Sequence, residues 1–378
     1  MNPKIQSQNF GNPAKIKVIG VGGAGGSAVN RMVHSKIRGV EFIVLNTDAQ
    51  ALRAIDNSIK KIRIGRTLTK GLGSGMNPEI GRKAIEESQN EVKEALKGAD
   101  LVFLTAGLGG GTGTGAAPLV ADLAREVGAL TIAIITKPFA FEGSQRMIIA
   151  ERGLKEIIPR VDAIITIPND RVLYVIDRKT PLLEAFLIVD EILKQGVQGI
   201  SEIITIPGLV NVDFADIRTI LQGAGSALLG IGRAEGEGRA VQAAKAALEN
   251  PLLDLSTKGA QGILFTLSGG PDLTMTEVNE IAKIITESAD PGAKIIFGAI
   301  IDESLANQIK LTLIATGFNT KESKEKTFLT PEQKIIPSKR VEVKLEQKSI
   351  ESNIEDKIKK SSEDELEIPA FIRKKLIN

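Results

Sequence analysis

The sequence contains no cysteine and no tryptophan, and it has one histidine and one tyrosine in 378 residues. The absence of cysteine excludes disulfide bonds and thiolate metal sites. Because aromatic side chains are so few, the bases of a single-stranded nucleic acid would have little to stack on. The net charge is only +2, and basic residues are interspersed with acidic ones. We therefore expect neither nucleic acid nor an anionic membrane to be the main ligand.

Long uncharged apolar runs are also missing from the sequence. No segment is long enough to span a bilayer, and the first fifteen residues have no apolar core of the signal-peptide type. These absences favour a cytoplasmic protein with no direct membrane insertion. The chain is nonetheless 42% hydrophobic, which is enough for two domains that each have a core.

Strand-like apolar runs alternate with amphipathic stretches from residue 14 onward. The runs are "KIKVIGV", "VEFIVLNT", "LVFLTA", "LTIAIIT" and "DAIITIPN". This alternation predicts an α/β fold with a mostly parallel sheet that helices cover on both faces, and it places a ligand beyond the carboxyl ends of the strands. The stretch 181–200 is apolar on more than one face, which predicts a long central helix buried between two bodies.

The second half of the chain changes character twice. Four more strand-like runs, with helices near 238–249 and 274–289, predict a smaller α+β domain that ends near Phe318. Interleaved Lys, Glu and Ser then predict a disordered linker. Apolar residues return in the last fifteen positions, as either a short partner-binding helix or a frayed tail. The predicted segments are a disordered arm (1–13), a first domain (14–178), a connecting helix (179–202), a second domain (203–318), a linker (319–363) and a terminal peptide (364–378).

A glycine-rich segment, "GVGGAGGSAVNRM" (20–32), follows the first strand and precedes a helix. Gly20, Gly22 and Gly25 satisfy the pattern G-x-G-x-x-G, and Asp48 ends the second strand at about the spacing needed to bind a ribose. An NAD-dependent oxidoreductase is therefore one hypothesis. The segment is not a P-loop, because Gly26 stands where that motif has its lysine.

A second glycine-rich segment, "GLGGGTGTGAAPLV" (107–120), follows the third long strand and precedes a helix that we expect to begin near residue 116. In isolation such a run would be a flexible linker. Between a strand and a helix, however, it can bring backbone N–H groups close to a phosphate. Two such loops can enclose a triphosphate, and Thr112 and Thr114 add hydroxyl groups. The pair favours a nucleoside triphosphate over a dinucleotide.

Several segments carry a resemblance to a known family. The run "GGGTGTG" (109–115) is the signature of the tubulin superfamily, and five further segments resemble, in the same order, loops of FtsZ, its bacterial cell-division family. They are "NTDAQAL" (46–52), "GLGSGMNPEIG" (71–81), "KPFAFEGSQR" (137–146), "IPNDR" (167–171) and "NVDFADI" (211–217). The resemblance implies a Rossmann-like GTP-binding domain in a GTPase that polymerises head to tail into protofilaments of the mid-cell division ring. It also implies that 364–378 binds membrane-tethering and regulatory division proteins.

The resemblance assigns the phosphates to the two glycine loops. The implied contacts are Gly22, Gly23, Ala24, Gly25, Gly26 and Ser27 in the first loop, and Gly109, Gly110, Gly111, Thr112 and Gly113 in the second. Ser27 stands where the family usually has an asparagine that helps to hold the base, so guanine affinity is less certain than phosphate binding. Ala24 stands where glycine is common, and it is tolerable if its φ is negative.

The resemblance also implies contacts to the rest of the nucleotide. Glu142 and Arg146 would contact the ribose and phosphate end, Asn169 the sugar and Phe186 the base. Asp190, one turn after Phe186, would accept both N–H groups of the guanine edge and so select GTP over ATP. These residues also have ordinary structural explanations: a surface Glu–Arg pair, a helix cap and a core phenylalanine.

Hydrolysis is assigned to "NVDFADIRTIL" (211–221), far from either loop in the sequence. Asp213 and Asp216 have the spacing of a helix N-cap and its first-turn acid. The resemblance implies that both, with Asn211, act on the GTP of the neighbouring subunit in a homopolymer. Mg²⁺ would be held mainly by nucleotide oxygens and water, with no dedicated protein metal site. A non-hydrolysing scaffold is the remaining alternative. His34 is expected to be structural.

Overall fold

The computed structural model describes residues 14–35, 37, 39–177, 179–249 and 259–318. The predicted arm 1–13, linker 319–363 and terminal peptide 364–378 lie outside the described residues. Within the described ranges, no helix is both long enough and apolar enough to cross a bilayer.

Ten strands of the described chain form one sheet, in the order β3-β2-β1-β4-β5-β6-β7-β10-β8-β9. They are β1 (Ile16–Val21), β2 (Val40–Asn46), β3 (Lys60–Arg63), β4 (Leu101–Gly107), β5 (Leu130–Lys137), β6 (Ala163–Pro168), β7 (Gly225–Glu235), β8 (Gly262–Gly269), β9 (Lys294–Ile301) and β10 (Gln308–Thr316). The pairing is parallel from β3 to β7 and between β8 and β9, and β10 is antiparallel to both of its neighbours. The α/β prediction is therefore confirmed.

Helices cover both faces of the sheet. They are α1 (Gly22–His34), α2 (Ala49–Arg53), α3 (Arg66–Thr69), α4 (Pro78–Leu96), α5 (Gly111–Glu126), α6 (Ser144–Ile157), α7 (Leu182–Thr205), α8 (Phe214–Leu221), α9 (Arg239–Leu248) and α10 (Met275–Ser288). Every residue of β1 is buried. Ile16 and Val18 pack in the core that includes α7, and Ile19 and Val21 pack in the core of α4 and α5. The strand is apolar apart from Lys17, which is also buried and donates from Nζ to the Ala95 carbonyl oxygen at 2.7 Å. Two buried faces thus explain the nearly continuous apolar run in the sequence.

The long helix α7 packs against strands from both halves of the sheet. A Cβ at Gly196 would lie 2.9 Å from Leu229 of β7 and 3.2 Å from Ile134 of β5, and one at Gly199 would lie 2.5 Å from Thr312 of β10. The two glycines therefore allow the helix backbone to approach three strands closely. The predicted long central helix is confirmed, but its burial is only partial, because Leu182 and Leu183 in its first turn are exposed.

Two local predictions were wrong, and one strand was missed. Helix α5 begins at Gly111 rather than near residue 116, so part of the glycine segment is its first turn and Pro118 lies in its interior. Strand β2 ends at Asn46. Asp48 is instead the N-cap of α2, and its carboxylate accepts hydrogen bonds from the N–H groups of Gln50 and Ala51 at 2.8 and 3.1 Å. Strand β3 was not anticipated, because "KKIR" has no apolar run.

Candidate nucleotide-binding site

A cleft of about 730 Å³ opens beyond the carboxyl ends of β1, β4 and β5. Strands β1 and β4 are neighbours in the sheet, whereas the chain runs outward from β1 through β2 to β3. Such a reversal of strand order leaves a crevice between the two connections, which is where α/β sheets bind ligands. The N-terminal ends of α1 and α5 and the first half of α7 complete the walls.

Most of the nucleotide-site residues expected from the sequence line this cleft. They are Gly22, Gly23, Ala24, Ser27, Gly110, Gly111, Thr112, Gly113, Glu142, Arg146, Asn169, Phe186 and Asp190. Gly25, Gly26 and Gly109 are not among the lining residues. A Cβ at Gly25 would lie 2.4 Å from the Thr105 carbonyl oxygen of β4, and one at Gly26 would lie 3.1 Å from Val44 of β2. These two glycines let α1 pack closely on the sheet.

The two glycine loops touch each other at the bottom of the cleft. Gly22 opens α1 with a φ of +74°, and a Cβ on it would lie 3.0 Å from the backbone nitrogen of Gly113. Only glycine tolerates both conditions. Ala24 lies within α1 and has no positive φ, so the alanine at this position is accommodated without strain.

The second loop presents the first turn of α5 to the cleft. Gly110 is the N-cap residue with an extended backbone, φ −90° and ψ 168°. The Gly111 N–H donates to the carbonyl oxygen of Gly75 at 2.7 Å, so the loop 71–77 is bound across the helix start. Thr114 was expected to add a hydroxyl to the phosphate site, and this was wrong. Its buried hydroxyl accepts the N–H of Gly109 at 2.9 Å and shapes the loop.

Polar side chains line the wall between β5 and β6. Glu142 forms an ion pair with Arg146 and accepts the Phe139 N–H at 2.9 Å. The pair does not belong to one helix, because Glu142 ends a 3₁₀ turn and Arg146 lies in α6. Asn169 follows β6 and is buried, and its side-chain Oδ1 has no hydrogen-bond partner among the described residues. A buried amide oxygen without a partner is costly, and a ligand hydroxyl would satisfy it.

The far wall belongs to α7. Phe186 is 37% exposed, and its ring contacts that of Phe139 edge to face at 5.5 Å. Asp190 is only 8% exposed, and its Oδ2 lies 2.7 Å from Nη2 of Arg31 on α1. Burial raises the pKa of Asp190 to about 6, against the charge of Arg31, which lowers it. One oxygen of the Asp190 carboxylate is thus paired with Arg31, and the side chain lines the cleft.

Asn211, Asp213 and Asp216 do not line the cleft. All three are exposed at the start of α8. Asp213 and Asp216 form a capping box: the Asp216 N–H donates to Asp213 Oδ1 at 2.8 Å, and the Asp213 N–H to Asp216 Oδ2 at 3.3 Å. Asn211 Oδ1 accepts the Gly208 N–H at 2.8 Å. The capping explanation is therefore confirmed, and it leaves the carboxylates at the surface.

Sequence reasoning missed several residues that line the cleft. Among them are Arg31, Asn46, Ser74, Thr136 and Pro138. Asn46 and Ser74 fall within segments that carried the family resemblance, which was the available signal. Nothing in the sequence singled out Arg31, a polar residue on an amphipathic helix. His34, the last residue of α1, is exposed and does not line the cleft.

Comparison with known proteins decides between the hypotheses. Residues 15–177 match the GTPase domain of the tubulin/FtsZ family, and residues 225–319 match the C-terminal domain of the FtsZ family. A solved FtsZ dimer from M. jannaschii is 44% identical, with a TM-score of 0.77 over 81% of this chain and 89% of that one. The chain belongs to the FtsZ family. It is a GTPase, and the NAD-dependent oxidoreductase hypothesis was wrong.

A further solved structure shows the same fold at lower identity. CetZ2 from Haloferax volcanii, solved as a GTPγS-bound protofilament, is 23% identical, with a TM-score of 0.69 over 82% of this chain and 95% of that one. The same fold thus occurs in a sequence that shares less than a quarter of its residues with this one.

Proposed function

We propose that this FtsZ-family GTPase polymerises head to tail and hydrolyses GTP at a site that two adjacent subunits share. One observation carries the proposal: the carboxylates that line the cleft, Asp48, Glu142 and Asp190, each already have a protein partner. The exposed carboxylates Asp213 and Asp216 lie outside the cleft. A carboxylate that positions the attacking water is then supplied by another subunit.

The nucleotide would extend along the cleft with its base at α7 and its phosphates at the glycine loops. Phe186 would pack against the base, and Asp190 would accept the two N–H groups of guanine, a pair that adenine cannot offer. Arg31 must then share Asp190 Oδ2 with the guanine or release that oxygen. Asn169 Oδ1 would accept a ribose hydroxyl, and the Glu142–Arg146 pair would contact the ribose and phosphate end. Backbone N–H groups of Gly110, Thr112 and Gly113 would bind phosphate oxygens.

Mg²⁺ would accompany the triphosphate. The described residues contain no group of three or more His, Asp or Glu side chains arranged to hold a metal ion, and the acids of the cleft have the partners given above. A hard cation would then take phosphate oxygens and water as its ligands. It would neutralise charge on the phosphates during hydrolysis.

Exposed apolar residues support a contact between unlike faces of two subunits. Leu183 lines the cleft and is exposed, Leu72 is exposed next to the lining residue Gly73, and Leu209 is exposed two residues before Asn211. A contact between two different faces is heterologous, so it repeats as an open filament. The relatives agree, since M. jannaschii FtsZ was solved as a dimer and CetZ2 as a protofilament.

We further propose that the filament forms a division ring at mid-cell, in the cytoplasm, and that 364–378 recruits membrane-tethering and regulatory proteins. Family membership supports the ring. The bacterial setting expected from the sequence has no support from the relatives above, which come from M. jannaschii and H. volcanii.

The test is to add GTP, ATP or NADH to the purified protein with Mg²⁺ and to record light scattering and phosphate release together. We expect both signals to rise with GTP alone. Phosphate release from GTP without any rise in scattering, across protein concentrations, would contradict the polymer. Equal turnover of ATP would contradict the assignment of guanine recognition to Asp190.

A further inference from the structure

Three hydroxyl groups form a chain at the edge of the cleft. Thr112 Oγ1, in the first turn of α5, lies 2.9 Å from Thr47 Oγ1 and 2.6 Å from Ser74 Oγ. Thr47, Thr112 and Ser74 are 0%, 8% and 5% exposed. Thr112 and Ser74 line the cleft, whereas Thr47 does not. The chain therefore begins at a fully buried hydroxyl and ends at the cleft.

Counting protons gives this chain a direction. Three hydroxyls carry three protons, and the two contacts between them use two. If Ser74 donates to Thr112 and Thr112 donates to Thr47, the Thr47 proton needs an acceptor, and the described residues provide no other for it. A buried donor without an acceptor costs about 1–3 kcal/mol. The favoured order therefore has Thr47 donating to Thr112, which leaves the one spare proton on the side of the cleft.

We propose that Thr112 donates onward to Ser74 and that the Ser74 hydroxyl donates the spare proton to a β- or γ-phosphate oxygen of GTP. This inference rests on the proposed function, because it deepens the description of the same site. A phosphate oxygen is a charged acceptor, so the bond is stronger than one between neutral groups. Thr47 is a positioning residue, since it acts on the nucleotide only through Thr112.

The same chain connects three loops to the phosphate. Thr47 follows β2, Ser74 lies in the loop 71–77, and Thr112 opens α5. The loop is already bound to α5 by the Gly111 N–H bond to the Gly75 carbonyl oxygen. An anion that accepts from Ser74 polarises both hydroxyl contacts and strengthens them. Bound triphosphate therefore tightens the loop 71–77 on the helix.

The test is Ser74→Ala, with the affinities for GTP, GDP and GMP measured by calorimetric titration. We expect GTP affinity to fall roughly tenfold, the effect of one lost hydrogen bond to a charged group, while GMP affinity stays within about twofold. Thr69→Val is the matched control: its buried hydroxyl donates to the Gly65 carbonyl oxygen at 3.0 Å next to the same loop but does not line the cleft. It should leave all three affinities unchanged.

A second pair of variants tests the chain beyond Ser74. Thr47→Val keeps the volume and removes the donor, so GTP affinity should fall roughly two- to fourfold through weaker polarisation. Thr47→Ser keeps the hydroxyl, so its GTP affinity should equal that of the wild type. This pair also decides the matter if Ser74→Ala does not fold.

The outcomes separate this inference from the function on which it depends. Wild-type protein that does not bind GTP would overturn the proposed function. Wild-type protein that binds GTP, with Ser74→Ala equally tight, would overturn only the Ser74 contact, because Thr112 would then keep the spare proton. Equal losses for GTP and GMP in Ser74→Ala would also contradict it, because a distorted loop weakens every nucleotide.

Discussion

Replacing Gly110 with valine should remove nucleotide binding without harming the fold. Gly110 lines the cleft, and a Cβ placed on it meets no atom within 4 Å. Its φ of −90° and ψ of 168° lie in the extended region that valine prefers. The isopropyl group would therefore fit the protein but occupy space in the cleft at the start of α5.

The expected magnitudes follow from this geometry. A residue other than glycine stabilises the fold by about 0.4–1 kcal/mol through the unfolded state where the backbone permits it, and loss of a glycine N-cap opposes this by a similar amount. The free energy of unfolding should thus change by less than about 1 kcal/mol. Losing two or more N–H bonds to phosphate, each worth about 1.5–3 kcal/mol, should weaken GTP binding roughly a hundredfold or more.

Gly111→Ala is the matched comparison, one residue further along. Its Cβ would lie 2.6 Å from the Asn77 carbonyl oxygen and 2.7 Å from both the Gly75 carbonyl oxygen and Ser74 Oγ. Such crowding should cost about 1–3 kcal/mol of stability. Urea unfolding without nucleotide measures the change in stability of each variant, and calorimetric titration measures the change in its GTP affinity. Wild-type affinity in Gly110→Val would refute the reasoning, because the loop would then be only a turn.

Three further results are expected. Asp190→Asn should reduce the preference for GTP over ATP roughly ten- to hundredfold in competition titrations, because an amide cannot accept both guanine N–H groups; an unchanged ratio would contradict the contact. Since burial raises the pKa of Asp190 to about 6, GTP affinity should fall as the pH drops through 6 and the carboxylate gains a proton. The wild-type profile should differ there from that of Asp190→Asn, which separates Asp190 from the titration of the phosphates. Asp213→Ala should lose about 1 kcal/mol with its cap and bind GTP normally, but its hydrolysis per folded molecule should fall at least tenfold. Thr274→Ala, which removes the same kind of capping box from α10, should lose only stability; equal hydrolysis losses in the two would mean that Asp213 acts only as a cap.

Sequence patterns predicted the fold well where each pattern depends on a single helix or strand. Continuous apolar runs identified most of the parallel strands because both of their faces are buried, whereas the edge strand β3 has no such run and was missed. The start of α5 was wrong because glycine and threonine are poor helix formers. Tertiary packing overrides that preference: a Cβ at Gly115 would lie 1.9 Å from the Pro78 carbonyl oxygen of α4. Gly115 therefore lets α5 approach α4 closely.

The site was predicted only where it follows directly from a motif. The glycine loops come after strands, so their position at the sheet edge could be inferred. Arg31 could not be inferred, and only the family resemblance of 71–81 pointed to the segment of Ser74, because each side chain meets a residue far away in the sequence. Arg31 meets Asp190 across α1 and α7, and Ser74 meets Thr112 across the loop 71–77 and α5. Sheet order creates both contacts, and a single sequence does not reveal it.

A mixture of two inactive variants tests the shared active site most directly. Asp213→Ala keeps its nucleotide cleft and lacks the carboxylate, whereas Gly110→Val keeps Asp213 and binds GTP roughly a hundredfold more weakly or worse. At a GTP concentration too low to occupy Gly110→Val, each variant alone should release phosphate at least tenfold more slowly than the wild type. Mixed in equal amounts, they should recover a fraction of wild-type phosphate release wherever an intact cleft meets an intact Asp213. No recovery, when sedimentation shows both variants in the same filaments, would contradict hydrolysis between adjacent subunits.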